Sequence, residues 1–121
     1  MANHLIVNNK INKFNKIINV SGDKSLSIRW ILISSLANGT SIANNLLMSE
    51  DVITTLNAIK KLGIRYKIKN GQCIIHGKGI EGYKYKKNIT INANNSGTLG
   101  RLILGLLINT SYPIKLVGDK S

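Results

Sequence analysis

The sequence predicts an α/β fold with helices packed on a mixed sheet, because strand-like and helix-like stretches alternate along the chain. Two further observations support that class. The helix-like stretches begin next to Ser, Asp or Asn, and two of them stop at Gly, which is the usual capping chemistry. No linker, low-complexity tract or internal repeat interrupts the 121 residues, so one domain-sized unit is expected.

Taken in order, residues 16–20 (KIINV) are β-rich and end at Ser21-Gly22. Residues 25–37 follow as a helix closed by Gly39. That helix is apolar almost all round through Leu26, Ile28, Trp30, Ile31, Leu32 and Ile33, the composition of a buried element. Residues 40–46 read as a strand. Ser49 is placed to cap a helix over 50–62, with Glu50 and Asp51 in the first turn, Lys60 and Lys61 in the last, and Gly63 as the stop. Residues 64–69 and 72–76 flank Asn70-Gly71, a strong two-residue hairpin signal. Residues 88–92 (NITIN) form another strand, 98–108 a third helix and 113–117 a last strand, giving the order β-α-β-α-β-β-β-α-β.

A hydrophobic content of 43% is enough for a core. No apolar run approaches the roughly 20 residues of a membrane span, and the N-terminus lacks the pattern of a secretory signal, so a cytoplasmic protein without a membrane partner is expected. Cys73 is the only cysteine, which excludes an internal disulfide; with His4 and His76 it offers too few ligands for zinc and reads as a core residue. The net charge of +12 fits nucleic acid, an anionic membrane surface or small anionic ligands. Abundant Lys, Asn and Ile are also what AT-rich coding produces, so the charge alone is a weak signal. Tyr83-Lys84-Tyr85-Lys86-Lys87 interleaves aromatics with lysines, yet with one Trp, four Tyr and one Phe in the chain it reads as a solvated loop rather than a stacking platform.

Two phosphate motifs fail on context. Gly77-Lys78-Gly79-Ile80-Glu81-Gly82 fits G-x-G-x-x-G, but YKYKKN follows instead of an apolar helix. GDKS at 22–25 resembles the tail of a Walker A loop, but Asp23 separates Gly22 from Lys24 and the upstream glycine is absent. What survives is a pair of strand-to-helix junctions. In VSGDKSLSIR, a glycine turn delivers Lys24 and Ser25 to a helix start, with Arg29 four residues beyond Ser25 on the same face. In NANNSGTLGR, Asn94, Asn95 and Ser96 offer caps, Gly97 leaves the backbone accessible, Thr98 adds a hydroxyl, and Arg101 follows one turn later. Unpaired N–H groups and a partial positive charge at a helix start favour a phosphate or carboxylate. Ordinary capping followed by an exposed arginine is the competing reading of each junction. Against it stands the placement of Arg29 and Arg101 in otherwise apolar helices, where a buried charge needs an anionic partner.

GDKSLSIRWILISSLANGTSIANNLLMSEDVITTLNAIKKLGI resembles the opening of the enolpyruvyl transferases, in particular the EPSP synthase (3-phosphoshikimate 1-carboxyvinyltransferase) family. NNSGTLGRLILGLL resembles that family's N-S/A-G-T-x-x-R motif, and GDKS at 118–121 the opening of its G-D-x-S-L-x-x-R-P-M motif, so the resemblance spans about residues 20–121. Departures are Ser21 where proline is usual, Glu50-Asp51 in place of a common Asp-Asp, and Leu102 where some members carry proline. The resemblance implies an inside-out α/β barrel built from repeated β-α-β-α-β-β units, with the active site between two such domains. It implies further that residues 1–20 belong to the other domain, and that residues 21–121 are part of one domain in an N-terminal fragment, inactive alone.

The implied reaction moves the enolpyruvyl group of phosphoenolpyruvate to shikimate 3-phosphate and releases phosphate, on the way to chorismate and aromatic amino acids. No metal or organic cofactor is implied, and the full-length enzyme is expected to be a monomer. Carried over by position, Lys24 contacts both substrates, Ser25 and Arg29 shikimate 3-phosphate, and Asn95 and Gly97 phosphoenolpyruvate, with Thr98 and Arg101 supporting that last site. The acid–base residues are expected beyond Ser121, so no catalytic residue is assigned. The sister enzyme acting on UDP-N-acetylglucosamine is the alternative; it typically carries Asn after the lysine and lacks the arginine one turn on. An alternative of another class is a basic nucleic-acid-binding module, for which there is charge but no recognised motif.

Overall fold

Where each hydrophobic stripe finds cover decides the architecture. The computed structural model describes residues 6, 8, 13 and 15–120. Its elements are α1 (Lys24–Leu36), β1 (Asn38–Asn44), α2 (Glu50–Lys61), β2 (Arg65–Lys69), β3 (Gln72–Lys78), β4 (Thr90–Asn92), α3 (Gly97–Leu106) and β5 (Lys115–Val117). β1, β3 and β2 form an antiparallel sheet in that order, and β4 pairs with β5 in a separate parallel ribbon. The expected mixed sheet is therefore two sheets, because the three-residue strands β4 and β5 pair only with each other.

The best-signalled elements form as read. Asn70 and Gly71 both adopt left-handed conformations, φ 50° and 73°, so the β2–β3 hairpin closes through the primed turn that Asn-Gly favours. α2 ends in a Schellman motif: Ile64 N–H donates to Ile59 O at 3.1 Å and Gly63 N–H to Lys60 O at 3.0 Å, with Gly63 at φ 85°. At its start, Ser49 occupies the cap position but its side chain makes no capping bond, and its Oγ is buried without a partner. The negative charge of Glu50 and Asp51 complements that helix end instead.

One core unites the elements. Ile28, Ile31 and Leu32 of α1 meet Val52, Leu56 and Ile59 of α2, with Cys73 and Ile75 of β3 beneath. Ile91, Leu99 and Ile103 extend it under α3. Cys73 is a core residue, as expected, and burial pushes its thiol pKa up.

Three expectations are corrected. Residues 16–20 form no strand: they pair with none of the described strands, and Ile17 and Val20 are 95% and 73% exposed. α1 is not buried all round: Leu26 and Ile33, seven residues apart and so on one face, are both 68% exposed. The tyrosine–lysine run is not simply solvated, since Tyr83 and Tyr85 turn inward onto the core while the lysines between and after them stay outside. Tyr83 Oη lies 2.8 Å from Ser35 Oγ. Tyr85 Oη donates to Tyr112 O at 2.8 Å and accepts from Tyr112 N–H at 3.0 Å, which ties the loop to the approach of β5.

Two outcomes follow. A Cβ at Gly63 would run into the Lys84 carbonyl and would demand a left-handed φ from a non-glycine residue, whereas one at Gly105 in α3 meets open space. Gly63→Ala is expected to cost about 2 kcal/mol or more and Gly105→Ala to gain about 0.5–1 kcal/mol, both read by urea unfolding. The second concerns alkaline pH. Burial raises the Tyr83 pKa and the Ser35 hydrogen bond pulls it partly back, leaving it above its ordinary value, as is Cys73. Both groups hold their protons more tightly when folded, so their contribution is intact below about pH 8.5 and is lost as pH rises through the folded values. Unfolding midpoints measured from pH 8 upward should fall, and the Cys73→Ala, Tyr83→Phe double variant should flatten that fall.

Candidate functional site

At the first junction the chain caps itself. Asp23 Oδ1 accepts from Leu26 N–H at 2.7 Å, and the Asp23 carbonyl accepts from Ser27 N–H and Oγ–H at 3.0 and 2.6 Å. Gly22 packs so tightly against residues 45–47 that a Cβ would overlap the Asn45 carbonyl. Lys24 Nζ pairs with Asp51 Oδ2 at 3.0 Å, and Arg29 Nη1 folds back to donate to Ser25 O at 3.1 Å. The expectation that Arg29 and Arg101 carry buried charge is corrected: both are exposed, each helix turning that side to solvent. What the junction does hold is an ammonium, a hydroxyl and a guanidinium within the first two turns of a helix.

The second junction is built on asparagine. Asn94 sits at φ 48°, its N–H donates to Asn92 Oδ1 at 2.8 Å, and its Nδ2 donates to Thr54 Oγ1 at 3.0 Å. Its carbonyl accepts from Asp119 N–H at 3.1 Å. Buried Ser96 caps α3 by accepting from Leu99 N–H at 3.3 Å. Between the α3 start and the end of β5 lies a cavity of about 580 Å³, lined by Asn95, Gly97 and Gly100 on one side and by Gly118 and Asp119 on the other. Gly118 and Asp119, which open the second GDKS, thus form the wall opposite the NNSG turn. Gly97 is exposed, and a Cβ there meets no protein atom within 4 Å. Half-buried Thr98 and exposed Arg101 of α3 lie outside the cavity lining, and so do Lys24, Ser25 and Arg29 of α1.

α2 joins the two junctions. Asp51 holds Lys24 and Thr54 holds Asn94, and residues three apart are neighbours on one helical face. The N-terminal ends of all three helices therefore gather at one end of the molecule. Asp51 and Asp119 are the residues that sequence reasoning left without a site role, and Asn94 enters it only as a cap. Asp51 was visible only as a first-turn carboxylate, and nothing in its neighbours along the chain announces a lysine partner 27 residues earlier. Chemically, amides, hydroxyls and cations around helix starts hold carboxylates and phosphates. Among the described residues, no group of three or more His, Cys, Asp or Glu side chains gathers as a metal site would, and no helix is long and apolar enough to cross a membrane.

Fold and junctions together define a unit of the inside-out α/β class, and comparison with known proteins agrees. The family model for EPSP synthase (3-phosphoshikimate 1-carboxyvinyltransferase) matches residues 8–121. A 3-phosphoshikimate 1-carboxyvinyltransferase of Sulfurihydrogenibium sp. (strain YO3AOP1) is 42% identical over 112 residues, covering 93% of this chain and 26% of that protein. The Streptococcus pyogenes serotype M1 relative of the same name is 40% identical over 104 residues, covering 86% and 24%. The solved EPSP synthase from Acinetobacter baumannii superposes with a TM-score of 0.78 at 36% identity, covering 86% of this chain and 24% of that one. The chain belongs to the EPSP synthase family, and it spans about a quarter of the length of the relatives it matches.

Asn94 offers a check on the site's architecture. Asn94→Ala removes the bond to Thr54 and puts a Cβ residue with no compensating side-chain bond at a left-handed φ, so it is expected to cost about 1–2 kcal/mol. Asn94→Gly, which relieves the backbone, should cost less; equal losses on denaturant unfolding would show that the backbone conformation carries no weight.

Proposed function

We propose that this chain supplies one wall of the substrate cleft in an enzyme that transfers the enolpyruvyl group of phosphoenolpyruvate to the 5-hydroxyl of shikimate 3-phosphate, with release of phosphate. The observation that carries the reading is Gly97. It stands at the mouth of the α3 cavity, open on every side to the protein, so nothing in the fold requires a glycine there. A ligand that approaches the backbone does require one.

In this reading phosphoenolpyruvate lies against Asn95 and Gly97, supported from α3 by Thr98 and Arg101. Shikimate 3-phosphate lies against Ser25 and Arg29, and Lys24, oriented by Asp51 at 3.0 Å, reaches both ligands. Both substrates are polyanions, and charge moves between their carboxylate and phosphate oxygens during transfer. Donors held in place before the reaction stabilise that charge without reorganising. The acid–base groups are assigned to the remainder of the relatives' length, and the whole enzyme is read as a cytoplasmic monomer.

The test replaces the matching quarter of the Sulfurihydrogenibium enzyme with residues 8–121 and follows phosphate release. The chimera is expected to release phosphate only when both substrates are present, while the 121-residue chain alone is expected to release none. Gly97→Ala in the chimera should raise KM for phosphoenolpyruvate by roughly tenfold or more and leave KM for shikimate 3-phosphate nearly unchanged, with an unaltered thermal midpoint. A folded chimera without substrate-dependent release, or equal effects on both KM values, overturns the reading.

A further inference from the structure

The last turn of α2 carries Lys60 and Lys61, a placement that complements the helix dipole. The helix end does not use them as caps. The carbonyls of Ala58, Ile59 and Lys60 are already taken by the backbone N–H groups of Leu62, Ile64 and Gly63. Lys61 Nζ donates instead to Thr90 O on β4, 2.7 Å away. Lys60 is exposed and has no side-chain partner among the described residues.

Both lysines line a depression of about 450 Å³ between α2 and β4, whose polar lining is Thr54, Asn57, Lys60, Lys61, Asn92 and Asn94. No carboxylate lines it. Lys61, anchored by one proton to Thr90, keeps two for a ligand. Thr54 Oγ1 accepts from Asn94 Nδ2, which leaves the hydroxyl proton to be donated elsewhere. Asn92 spends its Oδ1 on Asn94 N–H and keeps its amide protons. The lining is thus rich in donors, carries two formal positive charges and lies along a helix flank rather than at a helix start. We infer that this depression is a second anion site, taking a small phosphate-bearing ligand, and distinct from the cavity at the α3 start. Asn94 is the wall between the two: its side chain reaches Thr54 on one side, and its carbonyl receives Asp119 N–H on the other. A volume near the lower end of the usual range for ligand pockets suits a compact anion better than a polymer.

The experiment titrates the isotopically labelled chain with inorganic phosphate at fixed ionic strength and follows the side-chain amide signals of Asn57 and Asn92 together with the backbone signal of Gly97. The Asn57 and Asn92 signals are expected to move along a saturating curve. Lys60→Gln, which removes a cation with no bond in the fold, should weaken that curve roughly tenfold, the scale of one charge-assisted hydrogen bond, and Lys60→Arg should preserve it. Signals that stay still, that drift linearly without saturating, or that ignore Lys60→Gln overturn the site. A response at Gly97 alone also sinks it, while leaving the proposed function standing.

Discussion

The close approach of α1 to the central strand β3 is the constraint on which the rest of the structure depends. The β3 end runs directly beneath the C-terminal turn of α1, and a Cβ at Gly77 would overlap the carbonyl oxygens of Ser34 and Ala37. With that side chain absent, Gly79 N–H reaches the Ala37 carbonyl at 3.1 Å, and the helix end is satisfied by the strand's own continuation. Ile28, Ile31 and Leu32 then lie over Cys73 and Ile75, and α2 and α3 close the remaining sides. The glycine that resembled part of a dinucleotide fingerprint is therefore a packing residue.

From that arrangement the end that carries both junctions follows mechanically. α1 held against the sheet brings its N-terminus alongside that of α2, where Asp51 meets Lys24. One turn further along α2, Thr54 receives Asn94 and so positions the α3 start. Each junction caps its own helix and is also tied by a polar contact to the helix between them. Two parallel three-residue strands would be a weak foundation for a ligand site, yet Ala93 N–H to Val117 O at 2.8 Å and Asp119 N–H to Asn94 O at 3.1 Å continue their ladder up to the cavity rim. The repeated GDKS has two distinct duties. At 22–25 it starts a helix, and at 118–120 it leaves a strand and faces a helix start.

Charge distribution sharpens the picture. Of the five acidic residues, Asp23 caps α1, Glu50 and Asp51 begin α2, and Asp119 lines the α3 cavity, which places four of them at the end where the helices start. The net charge of +12 is thus least concentrated where the substrate anions are proposed to bind. In the proposed site oriented donors, rather than net charge, carry the affinity, with Asp51 paired to Lys24. Further along α2, the flank bearing Lys60 and Lys61 has no such carboxylates, which gives the two ends of one helix different electrostatic characters.

The sequence by itself determined the elements whose causes are local. The Asn70-Gly71 turn and the Gly63 stop of α2 are set by backbone sterics, and they stand as read, as does the place of Cys73 in the core. The two helix-start motifs, legible from GDKS and NNSGT, likewise form where expected. Tertiary structure alone decided which face of α1 is buried, because a helix apolar almost all round carries no stripe and takes its orientation from its neighbours. It also decided that residues 16–20 make no strand, since a ladder needs a partner that no local pattern can supply. It turned Tyr83 and Tyr85 inward, as Ser35 and Tyr112, each distant in the chain, hold their hydroxyls. It exposed the two arginines that helix composition had placed inside. It joined Lys24 to Asp51 and Asn94 to Thr54, pairs 27 and 40 residues apart, because such contacts depend on where whole elements pack and not on the residues beside them.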